Sequence, residues 1–372
     1  MSINLLKKIL TLLLKTKFEF AKPAKKRILF FDCSNCVIII KKFKLKERNF
    51  NILHTRLEKI NIPILIKSLI KNSLKLSLVN YYLEYLSVTK PKKVFTFIDN
   101  NIIFYKLKNK FPNVKFISIQ SGHRTQYRDF FLLLKKSKNL NLRCDKIFVA
   151  NHGFGKTLKK FIKCDVVPLG FFKNNFIKPK KNNSLRNSLL FLSQYREHQI
   201  QRDFFLVEKK LLKFLCTFCE RNNLNLNILG CSKNFQKEKK FYESFLNLKK
   251  FNFRKKLKYP MNYKLIDKFD TIVFVDSTLG YESISRKKKV AIFSSRRISL
   301  NGGLEKFGWP NRFKKIGFFY SSNKFKKKEA EKIMKNVVSI NQESWKKIIL
   351  PKLKSISIYN YNNKPLFKEL QS

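Results

Sequence analysis

Nowhere in these 372 residues is there a run of the roughly 18 apolar side chains that a membrane-spanning helix needs. The compact fingerprints of several chemistries are missing too. There is no glycine-rich phosphate loop, no dinucleotide G-x-G-x-x-G, no G-x-S-x-G elbow and no H-E-x-x-H helix. Acidic residues are scarce, 24 against 81 Lys and Arg, and no D-x-D or carboxylate cluster offers a catalytic metal its usual oxygen ligands. Cysteine is sparse as well: seven, an odd number spread along the chain, which argues against a disulfide framework and for a reducing compartment. Two C-x-x-C pairs occur, Cys33/Cys36 and Cys216/Cys219. Neither has supporting histidine spacing, so both read as buried small residues, and no metal or cofactor is assigned.

What is abundant is positive charge. The net charge is +57, and 66 of the 81 basic residues are Lys. A surface selected to grip phosphates bidentately would favour Arg, so this excess reads as a lysine-rich solvent face without a specific nucleic-acid site. The field still attracts anionic partners, nucleotide donors and anionic lipid surfaces among them. At the start of the chain, Asn4, Lys7, Lys8, Thr11 and Lys15 recur on one face and Leu5, Leu6, Ile9, Leu10, Leu13 and Leu14 lie mainly opposite. Residues 1–24 are therefore expected to hold an amphipathic helix. It packs either on an anionic membrane or on the protein itself. Lys7 and Lys8 interrupt it too early for a signal peptide, so a cytoplasmic protein, peripheral at the inner membrane face, is the expected location.

From residue 27 onward short apolar runs alternate with helical patterns, as a parallel sheet covered by helices requires. Strands are expected at 27–31, 93–98, 114–120, 146–150 and 165–169. A polar stretch at 171–187, rich in Lys and Asn and containing Pro179, then interrupts the pattern. The alternation restarts with strands at 188–193, 224–230, 271–276 and 290–294, a helix at 199–221 and others between. This predicts an α/β protein of two Rossmann-like domains with parallel sheets facing a central cleft. Residues 25–170 would form the acceptor domain and 188–345 the nucleotide-donor domain, with 171–187 as linker and 346–372 as a C-terminal helix and tail.

Ligands of such sheets bind beyond the carboxyl ends of the strands, which selects four clusters. In TIVFVDSTLGYESISR (271–286) a buried strand gives way to a helix at Ser277 and Thr278. Free N–H groups and hydroxyls there suit a diphosphate, Gly280 permits close approach, and Glu282 can accept from ribose hydroxyls. The alternative is plain N-capping by Asp276, Ser277 or Thr278, with Glu282 in a capping-box-like role. Ser193, Gln194 and Arg196 end the first strand of the same domain and can add further phosphate contacts. In the first domain, Asp99 and Asn100 follow one strand, and Gln120, Ser121, Gly122, His123 and Arg124 follow the next. His123 is the candidate base for an acceptor hydroxyl, with Asp99 as alternative base or orienting group. Asn100, Gln120 and Arg124 are candidate acceptor contacts; for each, a local turn or cap is the competing reading. His54, His152 and His198 are read as structural. The residue pattern favours group transfer in which helix ends and Arg, not Mg²⁺, neutralise a leaving diphosphate.

The segments FTFIDNN (95–101), ISIQSGHR (117–124), LFLSQYR (190–196) and VDSTLGYESISRKKKVAIFS (275–294) resemble the surface carbohydrate biosynthesis protein family. That family is distantly similar to CDP-glycerol glycerophosphotransferases and other GT-B glycosyltransferases. The resemblance covers roughly residues 25 to 320. It implies a GT-B fold, a nucleotide-activated sugar or polyol donor on the C-terminal domain, and a glycan or lipid-linked acceptor facing the first-domain loops. By position, Ser277, Thr278 and Glu282 would be donor contacts, while Ser121 stands where the family more often has Asn. The expected function is a metal-independent transferase of surface polysaccharide assembly. A nucleotide-sugar epimerase or hydrolase on the same fold, or a non-catalytic assembly protein, is the alternative.

Overall fold

The computed structural model describes residues 16–75, 77–124, 130–137, 139–180, 185–196, 206–247, 250–294 and 313–372. Residues 1–15, His198 and the beginning of the helix expected at 199–221 lie outside them. The described residues group into two compact units. One draws on Met1–Ser121, Lys136–Phe148 and Leu158–Val167; the other on Gly122–Lys135, Val149–Thr157 and Pro168–Ser372.

The first unit is built on eight strands: β1 (Lys17–Glu19), β2 (Ile28–Phe31), β3 (Phe50–Leu53), β4 (Lys59–Asn61), β5 (Lys93–Thr96), β6 (Lys115–Ile119), β7 (Arg143–Val149) and β8 (Lys163–Pro168). Six form one sheet in the order β3-β2-β5-β6-β7-β8, and β1 and β4 pair separately in parallel. Every residue of β2 and β5 is buried, and β2 reads as an unbroken apolar run. Residues 17–19 were expected to continue the N-terminal helix and are instead strand β1. Pairing with β4, reinforced by a 2.7 Å Lys59–Glu19 ion pair, fixes them in extended form. The strand β3 and the helix Ile62–Lys71 have no counterpart in the sequence reading.

The second unit carries β9 (Leu185–Leu192), β10 (Asn225–Leu229), β11 (Asn252–Arg254), β12 (Phe269–Phe274), β13 (Lys289–Phe293) and β14 (Tyr320–Ser321). They form a six-stranded sheet in the order β11-β10-β9-β12-β13-β14, and each pairing is parallel. Counted within the sheet this is 3-2-1-4-5-6, the Rossmann arrangement, and its switch point lies between β9 and β12. Leu190 stands opposite Asn227 on one side and Ile272 on the other, which sets the register there. Leu189, Leu190, Phe191, Ile272, Val273 and Phe274 are wholly buried and form the heart of the core. Within the stretch 171–187, Phe172–Asn175 is a helical turn with Asn174 and Asn175 buried, and β9 already begins at Leu185.

The chain's end packs back onto this unit. Ile358 N–H donates to Ala150 O (3.1 Å), and Asn151 Nδ2 donates to Ile356 O (2.9 Å). Among the described residues no helix is long and apolar enough to cross a membrane.

Candidate functional site

At the switch point of the second sheet, the loops after β9 and β12 meet through one side chain. With its amide turned to satisfy both neighbours, Gln194 donates to Asp276 Oδ1 (2.7 Å) and accepts from the Ser277 N–H (3.0 Å). Gln194 thereby bridges the crevice where dinucleotide-type ligands bind in such sheets. The helix Thr278–Ser285 starts here, and Ser277 at its N-cap makes no side-chain cap bond. Glu282 does not cap it either, because its Oε1 accepts from the Tyr263 hydroxyl (2.9 Å). Neither Ser277 nor Glu282 therefore caps this helix start with its side chain. Arg196 stands exposed at the end of the β9 loop.

Ser193 faces the other way. Its hydroxyl donates to Glu238 Oε1 (2.5 Å), sits 2.6 Å from the Tyr242 hydroxyl and accepts from the Tyr195 N–H (3.1 Å). One donor and two acceptor positions are then used up, so Ser193 shapes the loop from within. Glu238 also accepts from the N–H groups of Cys231 (3.0 Å) and Ser232 (2.7 Å), tying the end of β10 to the end of β9.

Gly280 is dictated by packing. A Cβ there would lie 2.3 Å from the Phe274 ring, so only glycine lets the helix settle on the end of β12. Glu282, on the same helix, is buried. Burial pushes its carboxyl up to about 7, against the Tyr263 hydrogen bond and the nearby Lys173 and Arg286 charges. Arg286 closes the helix with a buried ion pair to Asp267, and it donates to Asn174 Oδ1 (2.9 Å) and Ile177 O (2.8 Å).

The Gly122–His123 turn belongs to this unit and rests on the first turn of the helix. His123 N–H donates to Thr278 Oγ1 (3.0 Å), and its ring stacks on Tyr281 at 3.7 Å and 12°. Gly122 allows the approach, since a Cβ would stand 3.3 Å from Thr278 Oγ1. Tyr281 went unnoticed in the sequence, yet its spacing of three from Thr278 was the available signal. Residues so spaced share a helix face.

In the first unit, Asp99 is fully buried at the end of β5, and its Oδ1 accepts from the N–H (3.1 Å) and hydroxyl (3.2 Å) of Ser121. Its carbonyl accepts from Tyr105 (2.7 Å). Gln120 is buried at the end of β6 and Asn100 is half-buried; Arg124, which belongs to the second unit, is half-buried as well. Asn101 caps the helix Ile102–Leu107 by accepting from the Ile103 N–H (3.0 Å).

A family model described as "putative O-antigen biosynthesis protein" matches residues 117–372. No curated protein sequence matches significantly. Among solved structures, the fold is similar to S. aureus MnaA in complex with UDP, at 11% identity over 93% of this chain and 96% of that one (TM-score 0.56). It is also similar to the UDP-GlcNAc 2-epimerase of Methanocaldococcus jannaschii bound to UDP-GlcNAc and UDP, at 13% identity over 96% and 99% (TM-score 0.55). The wall teichoic acid polymerase TagF aligns at 10% identity over 93% and 88% (TM-score 0.52). At such identities the likeness speaks to fold alone, and that fold is GT-B.

Proposed function

This chain belongs to the O-antigen biosynthesis protein family, and we propose that it is a transferase of surface polysaccharide assembly that uses a nucleotide-activated sugar or polyol donor. The observation that carries the reading is the helix start at Thr278, without a side-chain cap, at the β9/β12 switch point and bridged by Gln194. A diphosphate seated there meets N–H groups and the positive end of the helix dipole, and we assign Arg196 to neutralise charge on the leaving group. Similar folds solved with UDP or UDP-GlcNAc support a nucleotide as the ligand. Tyr263 orients the Glu282 carboxyl, whose other oxygen we assign to ribose hydroxyls.

His123 is the base in this reading. The acceptor hydroxyl gives it a proton as the new bond to the transferred group forms and the bond to the leaving phosphate breaks. Asp99 holds the loop at Ser121, and Asn100, Gln120 and Arg124 are assigned to a glycan or lipid-linked acceptor. The expected location is cytoplasmic, against the inner membrane face.

A panel of CMP-, CDP-, UDP- and GDP-linked compounds tests the reading by thermal shift, since selective binding to the folded state raises the melting temperature. One nucleotide class should stabilise the protein, and Ser277→Ala should reduce that shift. No shift with any compound would sink the donor site. Conversion of a nucleotide sugar without an acceptor would replace transfer by epimerisation. Binding with neither outcome would leave an assembly protein.

A further inference from the structure

We infer that the loops at the carboxyl ends of β2 and β3 form a binding site for one divalent transition metal ion, zinc in character, with Cys33, His54 and Glu58 as ligands. The thiol, the imidazole Nδ1 and a carboxylate oxygen all lie within 4.8 Å of one another. Cys33 Sγ is 3.4 Å from Glu58 Oε1, and His54 Nδ1 is 3.9 Å from Glu58 Oε2. Ligands held at zinc distances in a tetrahedron stand about 3.3–3.6 Å apart, so the cluster needs only a slight closure.

Two buried polar atoms argue independently for an ion. His54 Nδ1 and Glu58 Oε2 have no hydrogen-bond partner within the protein, although the Glu58 side chain as a whole is 40% exposed. Two such atoms side by side are costly unless something satisfies both, and 3.9 Å is too long for a hydrogen bond between them. A cation between them satisfies both at once. Its charge also offsets a carboxylate and a thiolate in one of the few acidic spots of a chain with 24 acidic residues.

Asp32 fits the part of a supporting residue. Its side chain is wholly buried and ties together the two loops that carry the ligands. It accepts from the Ser34 N–H (2.6 Å), next to Cys33, and from the Thr55 hydroxyl (2.5 Å), next to His54. Arg56 pairs with the same carboxyl at 3.3 Å. A mixed sulfur, nitrogen and oxygen set suits zinc better than Mg²⁺ or Ca²⁺, which prefer oxygen alone. Three protein ligands leave a fourth position to water or an anion. Local spacing offers Cys33 no histidine partner, since His54 lies 21 residues away. The partners of Cys33 come instead from the turn after a neighbouring strand.

The test uses the full-length protein, freed of metal by a chelator under a thiol reductant and titrated with Co²⁺ and then Zn²⁺. Binding exchanges the Cys33 thiol proton for the ion, so one proton should be released per ion bound. We expect one ion per chain and a thiolate-to-cobalt absorption band that zinc abolishes. Cys33→Ser should lose the band, and His54→Ala should weaken binding while keeping it. Asp32→Asn should weaken affinity by roughly 10–100-fold. Cys36→Ser and the Cys216→Ser/Cys219→Ser pair should bind as wild type does. Absence of tight Co²⁺ binding, a bound ion without the thiolate band, or wild-type affinity in both Cys33→Ser and His54→Ala would each overturn the assignment. The wild-type band decides the matter even if a variant fails to fold.

Discussion

Ser277 and Thr278 are adjacent hydroxyls with different duties, and substitution should separate them. Ser277 contributes no cap bond, so Ser277→Ala should leave the melting temperature unchanged while weakening nucleotide binding by roughly 1.5–3 kcal/mol, the range for a hydrogen bond to a charged group. Thr278 holds the His123 N–H, so Thr278→Val should lose about 0.5–1.5 kcal/mol of stability as well as affinity. Calorimetric titration beside a melting curve reads both, and identical behaviour of the two variants would refute the distinction. His123→Ala should cut turnover roughly a hundred- to ten-thousand-fold while donor affinity holds. A stable variant with near-normal turnover would reject the base. Glu282 supplies a pH signature. Its carboxyl is raised from 4.5 to about 7 by burial, so between those values the folded protein keeps a proton that the unfolded chain has released. Stability contributed by Glu282 is therefore full below about 4.5, falls as pH rises toward 7, and is flat above. Denaturation at pH 5 and pH 8 should show a loss in the wild type that Glu282→Gln reduces by roughly 3 kcal/mol. Equal losses in both proteins would show that the carboxyl ionises normally.

The helix Thr278–Ser285 and strand β12 behave as one element because Gly280 lies against Phe274. Gly280→Ala forces a methyl into the ring and should cost about 1–3 kcal/mol. Phe274→Leu beside it should recover part of that loss. If Gly280→Ala melts like the wild type, the contact does not set the helix position. The sequence made this strand and helix legible because residues 271–275 are a buried run that ends in hydroxyls and glycine. The same logic found β5, β6, β9, β10 and β13 to within a few residues. It failed on β3, with four residues including Asn51, and on β11 and β14, with three and two residues, where the apolar signal is too short to rise above a loop. The strand ends that carry the candidate residues were legible, but side-chain direction was not. Ser193 turns inward because Glu238 and Tyr242, 45 and 49 residues away, claim its hydroxyl. His123 meets Thr278 across 155 residues. No local pattern encodes such partners. The C-x-x-C at Cys33 was read by spacing alone, and so its neighbours His54 and Glu58 were passed over.

For the molecule as a whole, charge is the dominant physical fact. A net charge of +57 makes every anionic surface attractive at short range, and salt weakens that attraction because the Debye length at physiological ionic strength is only about 8 Å. An apolar face inserted among lipid headgroups responds differently, since its free energy scales with buried area and survives added salt. The full chain, with the leucine-rich residues 1–15, should combine both modes. Exposed Phe18 and Phe20 continue the apolar character just beyond that segment, at 43% and 77% exposure. Sedimentation with anionic phospholipid vesicles can separate the contributions. In dilute salt, both the full chain and a variant lacking residues 1–15 should pellet. Near 0.5 M salt the shortened chain should be released while the full chain stays partly bound. Because the deletion stops before β1, pairing of Lys17–Glu19 with Lys59–Asn61 is kept, and the thermal shift with a nucleotide donor should be unchanged. If the two proteins sediment alike at every salt concentration, residues 1–15 do not bind membrane, and the association is purely electrostatic.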